Sequence, residues 1–149
     1  MNTRVFRPWV VLICILLTPA TLFAEVTAQR TVENFVTAFN EQDVEAMLNL
    51  ATDDVVWMSV AGESIGVEAN GSQALKAAMG DYFSSHPGSY SKIRQIQSSG
   101  PWVTTLEHAG REVDGQFKGQ CAYAMYQLKE GLIKSVWYFS AHTCEPTPG

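Results

Sequence analysis

Few side chains in this sequence are of types that could carry out chemistry, and most of them stand alone. The three histidines, His86, His108 and His142, are scattered along the chain, and no pair of His or Cys has the spacing of metal ligands. No glycine-rich phosphate loop and no Gly-x-Ser-x-Gly nucleophile motif occurs. We therefore expect neither a metal nor a cofactor.

Two polar side chains, Tyr123 and His108, are candidates for contact with a ligand. A tyrosine hydroxyl in an apolar pocket can donate to a carbonyl or enolate oxygen, although most buried tyrosines bond a backbone carbonyl instead. Histidine suits proton transfer, and a surface position at the end of a strand is the alternative for His108. Glu107 precedes His108 on a predicted strand, so the two side chains should point to opposite faces and cannot share a site directly.

The sequence allows either one disulfide or two free thiols. Cys121 and Cys144 remain once an N-terminal leader is set aside, and in an oxidising compartment they could form one disulfide. Two separate buried thiols would fit the sequence equally well, because sequence does not supply the Cα separation that a bridge requires.

The N-terminus has the order of a secretory signal peptide. Arg4 and Arg7 give a positive start, the run from Trp9 to Leu17 is apolar, Pro19 breaks it, and Ala24 offers a small residue for cleavage. The apolar run is far shorter than the roughly 20 residues that span a bilayer. We expect residues 1–24 to be a signal peptide cleaved after Ala24 and the mature protein to be periplasmic or secreted, with no membrane attachment.

Charge and composition narrow the class of partner. Residues 25–149 contain eight basic and fifteen acidic residues, a net charge of −7. An acidic chain without basic runs argues against nucleic acid, whose phosphates need clustered Lys and Arg. Hydrophobic content of 46% and charged content of 17% are those of an ordinary globular domain. We expect one domain over residues 25–144 and a flexible tail over residues 145–149.

The first half of the domain has helical patterns. Apolar residues at three-four spacing predict a helix from about Thr27 to Glu41, and Asp43 is the expected N-cap of a short second helix. Val55 to Val60 has the β-branched and aromatic content of a strand. Ala61 to Gly71 is predicted to be a loop, and Ser72 to cap a third helix.

From Ser89 onward the pattern is extended. Strands are predicted at Tyr90–Gln97, Trp102–His108, Gln116–Gln127 and Leu132–His142, with a polar turn at Gly110–Gly115. Helices followed by a meander of strands predict an α+β fold, in which the helices pack on one face of an antiparallel sheet.

Alternation along the last two strands defines two faces. The more apolar face is predicted to meet the helices, and it carries Phe117, Gly119, Cys121, Tyr123, Met125, Ile133, Ser135, Trp137, Phe139 and Ala141. The other face mixes aromatic, small and polar residues, and includes Ala122, Ala124, Tyr126, Val136 and Tyr138. We expect this second face to form a homodimer interface, although an ordinary exposed face with scattered aromatics has the same composition.

The segments 32–43 and 46–57 resemble the opening of SnoaL-like, or nuclear transport factor 2-like, proteins. In both, an amphipathic helix leads through a polar turn ending in Asp to a second short helix, an Asp-Asp step and a strand. The segment 71–76 is similar to the family's entry to its third helix, and the hairpin 123–139 to its last two strands. The resemblance implies a cone-shaped, cystatin-like roll, a curved sheet wrapped round the helices, with a pocket between them.

The resemblance also allows a comparison with the ketosteroid isomerase branch, which uses a carboxylate base and an oxyanion hole of a Tyr and a protonated Asp. Ser59 falls at the base, Phe35 at the tyrosine and Tyr123 at the protonated Asp. Ser59 cannot act as a base without a partner and Phe35 cannot donate a hydrogen bond, so we do not expect steroid isomerisation. The residues expected to line the pocket are Phe35, Trp57, Ser59, Tyr82, His108, Tyr123, Met125, Trp137 and Phe139.

Three functions remain open for a fold that hosts many chemistries. The first is binding of a small hydrophobic molecule, with isomerisation or dehydration of a carbonyl compound as an option. The second is a non-catalytic module that forms homo-oligomers. The third is a metal-free hydrolase, for which the sequence offers no acid pair.

Overall fold

The computed structural model describes residues 20–144, with side chains from Thr27 onward. Most of the predicted signal peptide and all of the predicted tail therefore lie outside the described residues. The described residues form three helices and six strands in the order ααββαββββ, with α3 between the second and third strands. No helix in this part of the chain is long and apolar enough to cross a membrane.

The helices follow the apolar spacing of the sequence. Helix α1 spans Ala20–Asn40, α2 spans Val44–Asn49, and α3 spans Ser72–Ser85. Asp43 caps α2 as predicted, because its side chain accepts a hydrogen bond from the backbone N–H of Ala46 at 2.9 Å. The prediction for α3 is wrong by one residue: Gly71 is the N-cap, at φ 91°, and no side chain caps this helix.

The strands form one six-stranded, curved and open sheet. They are β1 (Ala51–Ala61), β2 (Ser64–Asn70), β3 (Ser89–Ser99), β4 (Trp102–Val113), β5 (Gln116–Lys129) and β6 (Leu132–Phe139). Their order across the sheet is β2-β1-β6-β5-β4-β3, and neighbours are antiparallel except for the parallel pair β1 and β6. The predicted α+β architecture is confirmed.

Two predicted loops are largely strand. Residues 64–70 form β2, which pairs with β1 at one edge of the sheet. Its two large apolar residues, Ile65 and Val67, are each 62% exposed and only Ala69 is buried, so β2 lacks the alternating buried apolar side chains that mark most strands in a sequence. The predicted polar turn at 110–115 shrinks to Asp114 and Gly115, because β4 continues to Val113.

A pair of glycines lets β4 and β5 approach closely. Gly110 and Gly119 face each other in the register of these strands. A Cβ on Gly110 would lie 2.2 Å from the carbonyl oxygen of Lys118, and one on Gly119 would lie 2.4 Å from that of Ala109. Side chains at either position would push the strands apart at the open end of the cone.

The predicted facing of the last hairpin is wrong, because the opposite face meets the helices. Ala122, Ala124, Tyr126 and Val136 are each at most 1% exposed, whereas Tyr123 is 54% exposed. The face predicted to form a homodimer interface is thus the inner face of the sheet. The face predicted to be inner, with Tyr123, Met125 and Trp137, is the outer one.

A bulge in β6 breaks the simple alternation used for the prediction. Leu128 pairs with Ile133 and Gln127 pairs with Ser135, so Lys134 is the extra residue. As a result Ile133 and Val136, which alternation assigns to opposite faces, both have 0% exposure and belong to the same core.

A disulfide joins β5 to the segment after β6. Cys121 and Cys144 are bonded, with their Cα atoms 4.9 Å apart. Next to the bond, Cys121 and His142 exchange two backbone hydrogen bonds of 2.9 and 2.8 Å. The disulfide and this bridge hold residues 142–144 against Cys121, which is only 1% exposed.

Candidate functional site

A cavity of about 440 Å³ lies between the helices and the inner face of the sheet. Helices α1 and α3 contribute Phe35, Phe39 and Tyr82 to its wall, and the sheet contributes Trp57, Tyr126 and Tyr138. The rings form a continuous set of contacts: Phe35 lies 6.1 Å from Trp57 and 6.4 Å from Tyr126, and Trp57 stacks on Tyr138 at 6.2 Å. The wall is thus largely aromatic, as in pockets for small organic molecules.

Small residues on the sheet make room for this cavity. Ala61 of β1 and Ala69 of β2 belong to its wall. Ala109 and Gly110 continue the wall towards the open end. Because these positions carry little side-chain volume, the aromatic rings around them border a space instead of closing it.

A buried carboxylate, Glu107, belongs to the cavity wall. It is 2% exposed and accepts hydrogen bonds from four hydroxyl groups. Thr105 Oγ1 and Tyr126 OH donate to Oε1 at 2.7 and 2.8 Å, and Ser91 Oγ and Tyr138 OH donate to Oε2 at 2.7 and 3.3 Å. These four donors fill the four acceptor positions of a carboxylate, which explains how it is buried without a cation in contact.

The fold fixes each of these hydroxyl groups. Thr105 and Glu107 share the inner face of β4, and Tyr126 projects from the same face of β5. Ser91 stands on the edge strand β3, where Asn40 at the end of α1 holds its backbone. Asn40 Nδ2 donates to the Ser91 carbonyl at 2.8 Å, and the Ser91 N–H donates to Asn40 Oδ1 at 2.7 Å. The last turn of α1 therefore positions the Ser91 hydroxyl against Glu107.

The two tyrosines resist ionisation. Burial, and next to it the negative charge of Glu107, raises the pKa of Tyr126 well above its usual value. The same two causes, in the same order, raise the pKa of Tyr138. Both phenols are therefore neutral hydrogen-bond donors to Glu107 at physiological pH.

A second acidic residue lies in the wall near the open end. Glu68 of β2 is exposed, and its Oε1 accepts a hydrogen bond from the Ser59 hydroxyl of β1. Together with Glu107 it gives the wall two carboxylates. Within residues 27–144, whose side chains the structure describes, no Lys, Arg or His belongs to the wall.

Comparison with protein families decides the classification. Residues 32–136 match the model of the SnoaL-like domain. This chain belongs to the SnoaL-like family. Among curated protein sequences, none matches the chain closely enough to count as a relative.

Solved structures show the same nuclear transport factor 2-like, cystatin-like fold. An uncharacterised cystatin-fold protein from Novosphingobium aromaticivorans has a TM-score of 0.65 and 23% identity, over 74% of this chain and 96% of that one. An epoxide hydrolase of the LEH-like type from Mycobacterium tuberculosis has a TM-score of 0.64 and 20% identity, over 77% and 83%. A provisionally assigned ketosteroid isomerase from Kribbella flavida has a TM-score of 0.61 and 15% identity, over 84% and 85%. At these identities the likeness concerns the fold.

The cavity of this SnoaL-like domain includes five of the nine residues predicted to line a pocket. These are Phe35, Trp57, Ser59, Tyr82 and Phe139. Ser59 is bonded to Glu68, and Phe139 lies at the open end where it is 38% exposed.

The other four predicted residues lie on the outer face of the sheet, away from the cavity. His108 packs edge-on against Phe117 at 4.8 Å, and Tyr123 stacks on His142 at 5.6 Å. Trp137 packs on Trp102 at 5.7 Å, and Met125 pairs with Trp137 in the strand register. Their assignment to the pocket wall is wrong for the same reason in each case, the inverted facing of the sheet.

Sequence reasoning missed Glu107 and its two tyrosines as site residues. The sequence correctly separates Glu107 from His108, since neighbours on a strand face opposite sides. In the structure Val103, Thr105 and Glu107 are each at most 2% exposed, but alternation in the sequence does not say which side of β4 faces the helices. A buried carboxylate needs buried donors, and the tyrosines of the neighbouring strands supply them.

Among the residues that the structure describes, no group of three or more His, Cys, Asp and Glu is arranged to hold a metal ion. Each oxygen of Glu107 is instead occupied by hydroxyl donors.

Proposed function

We propose that this SnoaL-like protein binds a small, mainly apolar molecule in the cavity between its helices and its sheet. One observation carries the proposal: a cavity of about 440 Å³, walled by aromatic rings, remains open in the folded chain and contains one buried, hydrogen-bonded carboxylate. Pockets of this size with few fixed polar groups are typical of small-molecule sites. A module that serves assembly alone has no need of such a space, and a core normally fills it.

Occupation of the cavity can be tested with a neutral fluorescent probe, N-phenyl-1-naphthylamine. We expect saturable binding of one probe per chain. Ala109→Phe, on the cavity wall, should abolish it, whereas Thr104→Phe, on the exposed side of the same strand, should leave it unchanged. Equal binding by both variants would show that the probe binds outside the cavity and would overturn the proposal.

Isomerisation or dehydration in the same cavity is a second candidate, favoured by the presence of Glu107 in the wall. A buried carboxylate is a common proton acceptor in enzymes. Here, however, four hydroxyl donors occupy its oxygens, so one of them must turn away before Glu107 can take a proton from a ligand. This arrangement favours binding over proton abstraction.

The catalytic candidate has a direct test that needs no known substrate. Exchange of the α-protons of 2-tetralone with deuterated solvent can be followed by NMR, with wild-type protein and with Glu107→Gln. Exchange accelerated by wild-type and lost in the variant would establish Glu107 as a base. If the α-protons exchange at the buffer rate with both proteins, Glu107 is not a base for this reaction and only the binding function remains.

We further propose that the mature protein is exported, with cleavage after Ala24. Support comes from the charged and apolar order of residues 1–24 and from the Cys121–Cys144 disulfide, since such bonds persist in oxidising compartments. Cleavage would remove the first turn of α1 and keep its core residues Val32 and Phe35. Mass spectrometry of the protein secreted with its own leader should give Glu25 as the first residue; retention of residues 1–24 would contradict export by this route.

A homodimer through the outer face of the sheet completes the proposal. This face carries Trp102, Tyr123, Met125 and Trp137, a cluster of large apolar side chains in which Tyr123 is exposed and the other three are half-buried. Apolar surface of this kind marks contact surfaces. Light scattering coupled to size exclusion at micromolar concentration should give twice the chain mass. Met125→Arg should yield monomers and Glu41→Arg, on the helix side, should not; a monomeric wild-type would exclude the dimer.

A further inference from the structure

The charge of the cavity wall points to one kind of ligand. The two ionisable carboxylates in the wall, Glu68 and Glu107, are unopposed by any Lys, Arg or His among the wall residues that the structure describes. Among the residues that the structure describes, neither carboxylate forms a salt bridge. No cationic side chain of the wall neutralises this acidic charge, so it can attract a cationic ligand.

The directions of the hydrogen bonds around Glu107 favour a ligand that donates hydrogen bonds. The phenols of Tyr126 and Tyr138 use their single protons to donate to Glu107, so neither is free to donate to a ligand carbonyl or carboxylate. Their oxygens keep lone pairs that can accept. At 3.3 Å the bond from Tyr138 is the longest of the four, so Tyr138 is the hydroxyl that a ligand donor most easily engages or displaces.

The aromatic wall adds a third feature that selects for a cation. Trp57 and Tyr138 are stacked, and Phe35 and Tyr126 complete the ring set around the same space. The faces of aromatic rings attract ammonium groups, most strongly where water is excluded. Such rings also accept the apolar body of a ligand, so both parts of one molecule find a suitable surface.

We propose that the ligand of this cavity is a hydrophobic amine, whose ammonium group lies beside Tyr138 and Glu107 and whose apolar body packs on the aromatic rings. This inference rests on the proposed binding function and adds the chemical class of the ligand. Glu68 at the open end is the first carboxylate that an entering cation meets. Glu107 then stabilises the bound cation in a site of low dielectric, where the attraction between opposite charges is strong.

Three probes of nearly equal size and shape test the proposal: 4-phenylbutylamine, 4-phenylbutan-1-ol and 4-phenylbutyrate. Displacement of N-phenyl-1-naphthylamine at pH 7 gives the affinity of each. We expect the amine to bind about tenfold or more tightly than the alcohol, and the carboxylate most weakly, since a hydrogen bond to a charged group contributes about this factor. An amine that binds no better than the alcohol would overturn the inference.

Variants of the two carboxylates test whether they cause the preference for the amine over the alcohol. Glu107→Gln should weaken the amine about tenfold while changing the alcohol less than about threefold, and Glu68→Gln should weaken the amine by a smaller factor because an exposed charge is screened by water. Glu68→Gln tests the same idea in a variant whose buried network is intact. Glu33→Gln, on the exposed side of α1, changes the net charge equally and should have no effect. An amine preference that survives both cavity variants would contradict the proposal.

The two proposals fail differently. If the neutral probe binds in the cavity and the amine shows no advantage, the binding function stands and the ligand class is wrong. If neither the neutral probe nor any of the three phenylbutyl compounds binds, the binding function fails and the ligand class fails with it.

Discussion

The two faces of the sheet use similar residues for opposite purposes. The inner face combines small residues with Tyr126, Tyr138 and Glu107 around a cavity, whereas the outer face has larger apolar side chains with Tyr123 and His108 in contact with solvent. Residue types alone would rank the outer face as the core. The difference shows that the face lining a cavity combines small residues with a few polar groups, and that it need not carry the largest apolar side chains.

The largest contrast between the faces should appear when a phenylalanine is truncated on each side. Phe35→Ala removes a ring that is 2% exposed and borders both the core and the cavity, and we expect a loss of about 4 kcal/mol in the free energy of unfolding. Phe117→Ala, on the outer face where the ring is 41% exposed, should cost about 1 kcal/mol or less. Urea denaturation of both variants gives the comparison, and equal losses would show that the outer face is buried in the protein as it exists in solution.

The disulfide is the strongest element of the outer face. Its two cysteines are 23 residues apart in sequence, and the chain-entropy model assigns a bond closing such a loop about 3 kcal/mol of stability. Cys144→Ser should lower the free energy of unfolding by this amount. Reduction of the wild-type with dithiothreitol should reproduce the loss and leave the variant unchanged. If dithiothreitol changes neither the stability nor the intact mass of the wild-type protein, the bond is contradicted.

Much of the fold is predictable from sequence because local patterns determine it. The spacing of Val32 and Phe35 predicts the buried side of α1, and Asp43 predicts the start of α2. Strand β2 escapes prediction because it lies at an edge, where Ile65 and Val67 remain exposed and give no inward pattern. Its place is determined by pairing with β1, which is a tertiary effect.

The site is less predictable because alternation gives only relative sides. Glu107 and His108 must face opposite directions, yet nothing local says which one faces the helices. The bulge at Lys134 then shifts the alternation within β6, so that parity counted from Trp137 does not extend to Ile133. Burial of Glu107 becomes plausible only once Ser91, Thr105, Tyr126 and Tyr138, from four different strands, are known to meet at its carboxylate.

A matched pair of tyrosine variants sharpens the comparison between the faces. Tyr126→Phe removes one of the two donors to Glu107 Oε1, and we expect a loss of about 2 kcal/mol, the range for hydrogen bonds to charged groups. Tyr123→Phe removes an exposed hydroxyl on the outer face and should change stability by less than about 0.5 kcal/mol. Thermal denaturation at pH 7 measures both. A larger loss from Tyr123→Phe would mean that the two faces have been assigned the wrong way round.

The smallest effect concerns alkaline pH and depends on the same two tyrosines. Tyr126 and Tyr138 have pKa values in the folded protein above the unfolded value near 10, so the folded chain retains protons that the unfolded chain releases. Their contribution to stability is complete below pH 10 and is lost as the pH rises further, by about 1 kcal/mol per tyrosine between pH 10 and 11. Urea unfolding at pH 9, 10 and 11 should show this decline.

Tyr126→Phe separates the phenol of the inner face from other alkaline effects. A phenylalanine has no proton to release, so the decline between pH 10 and 11 should be about 1 kcal/mol smaller in Tyr126→Phe than in the wild-type. The variant is less stable at pH 7 but less sensitive to alkali, a combination that general loosening of the fold does not produce. If the decline is the same in both proteins, Tyr126 ionises as readily in the folded chain as in the unfolded one. Its hydroxyl would then lie in contact with solvent, and the buried Glu107 cluster would not exist in solution.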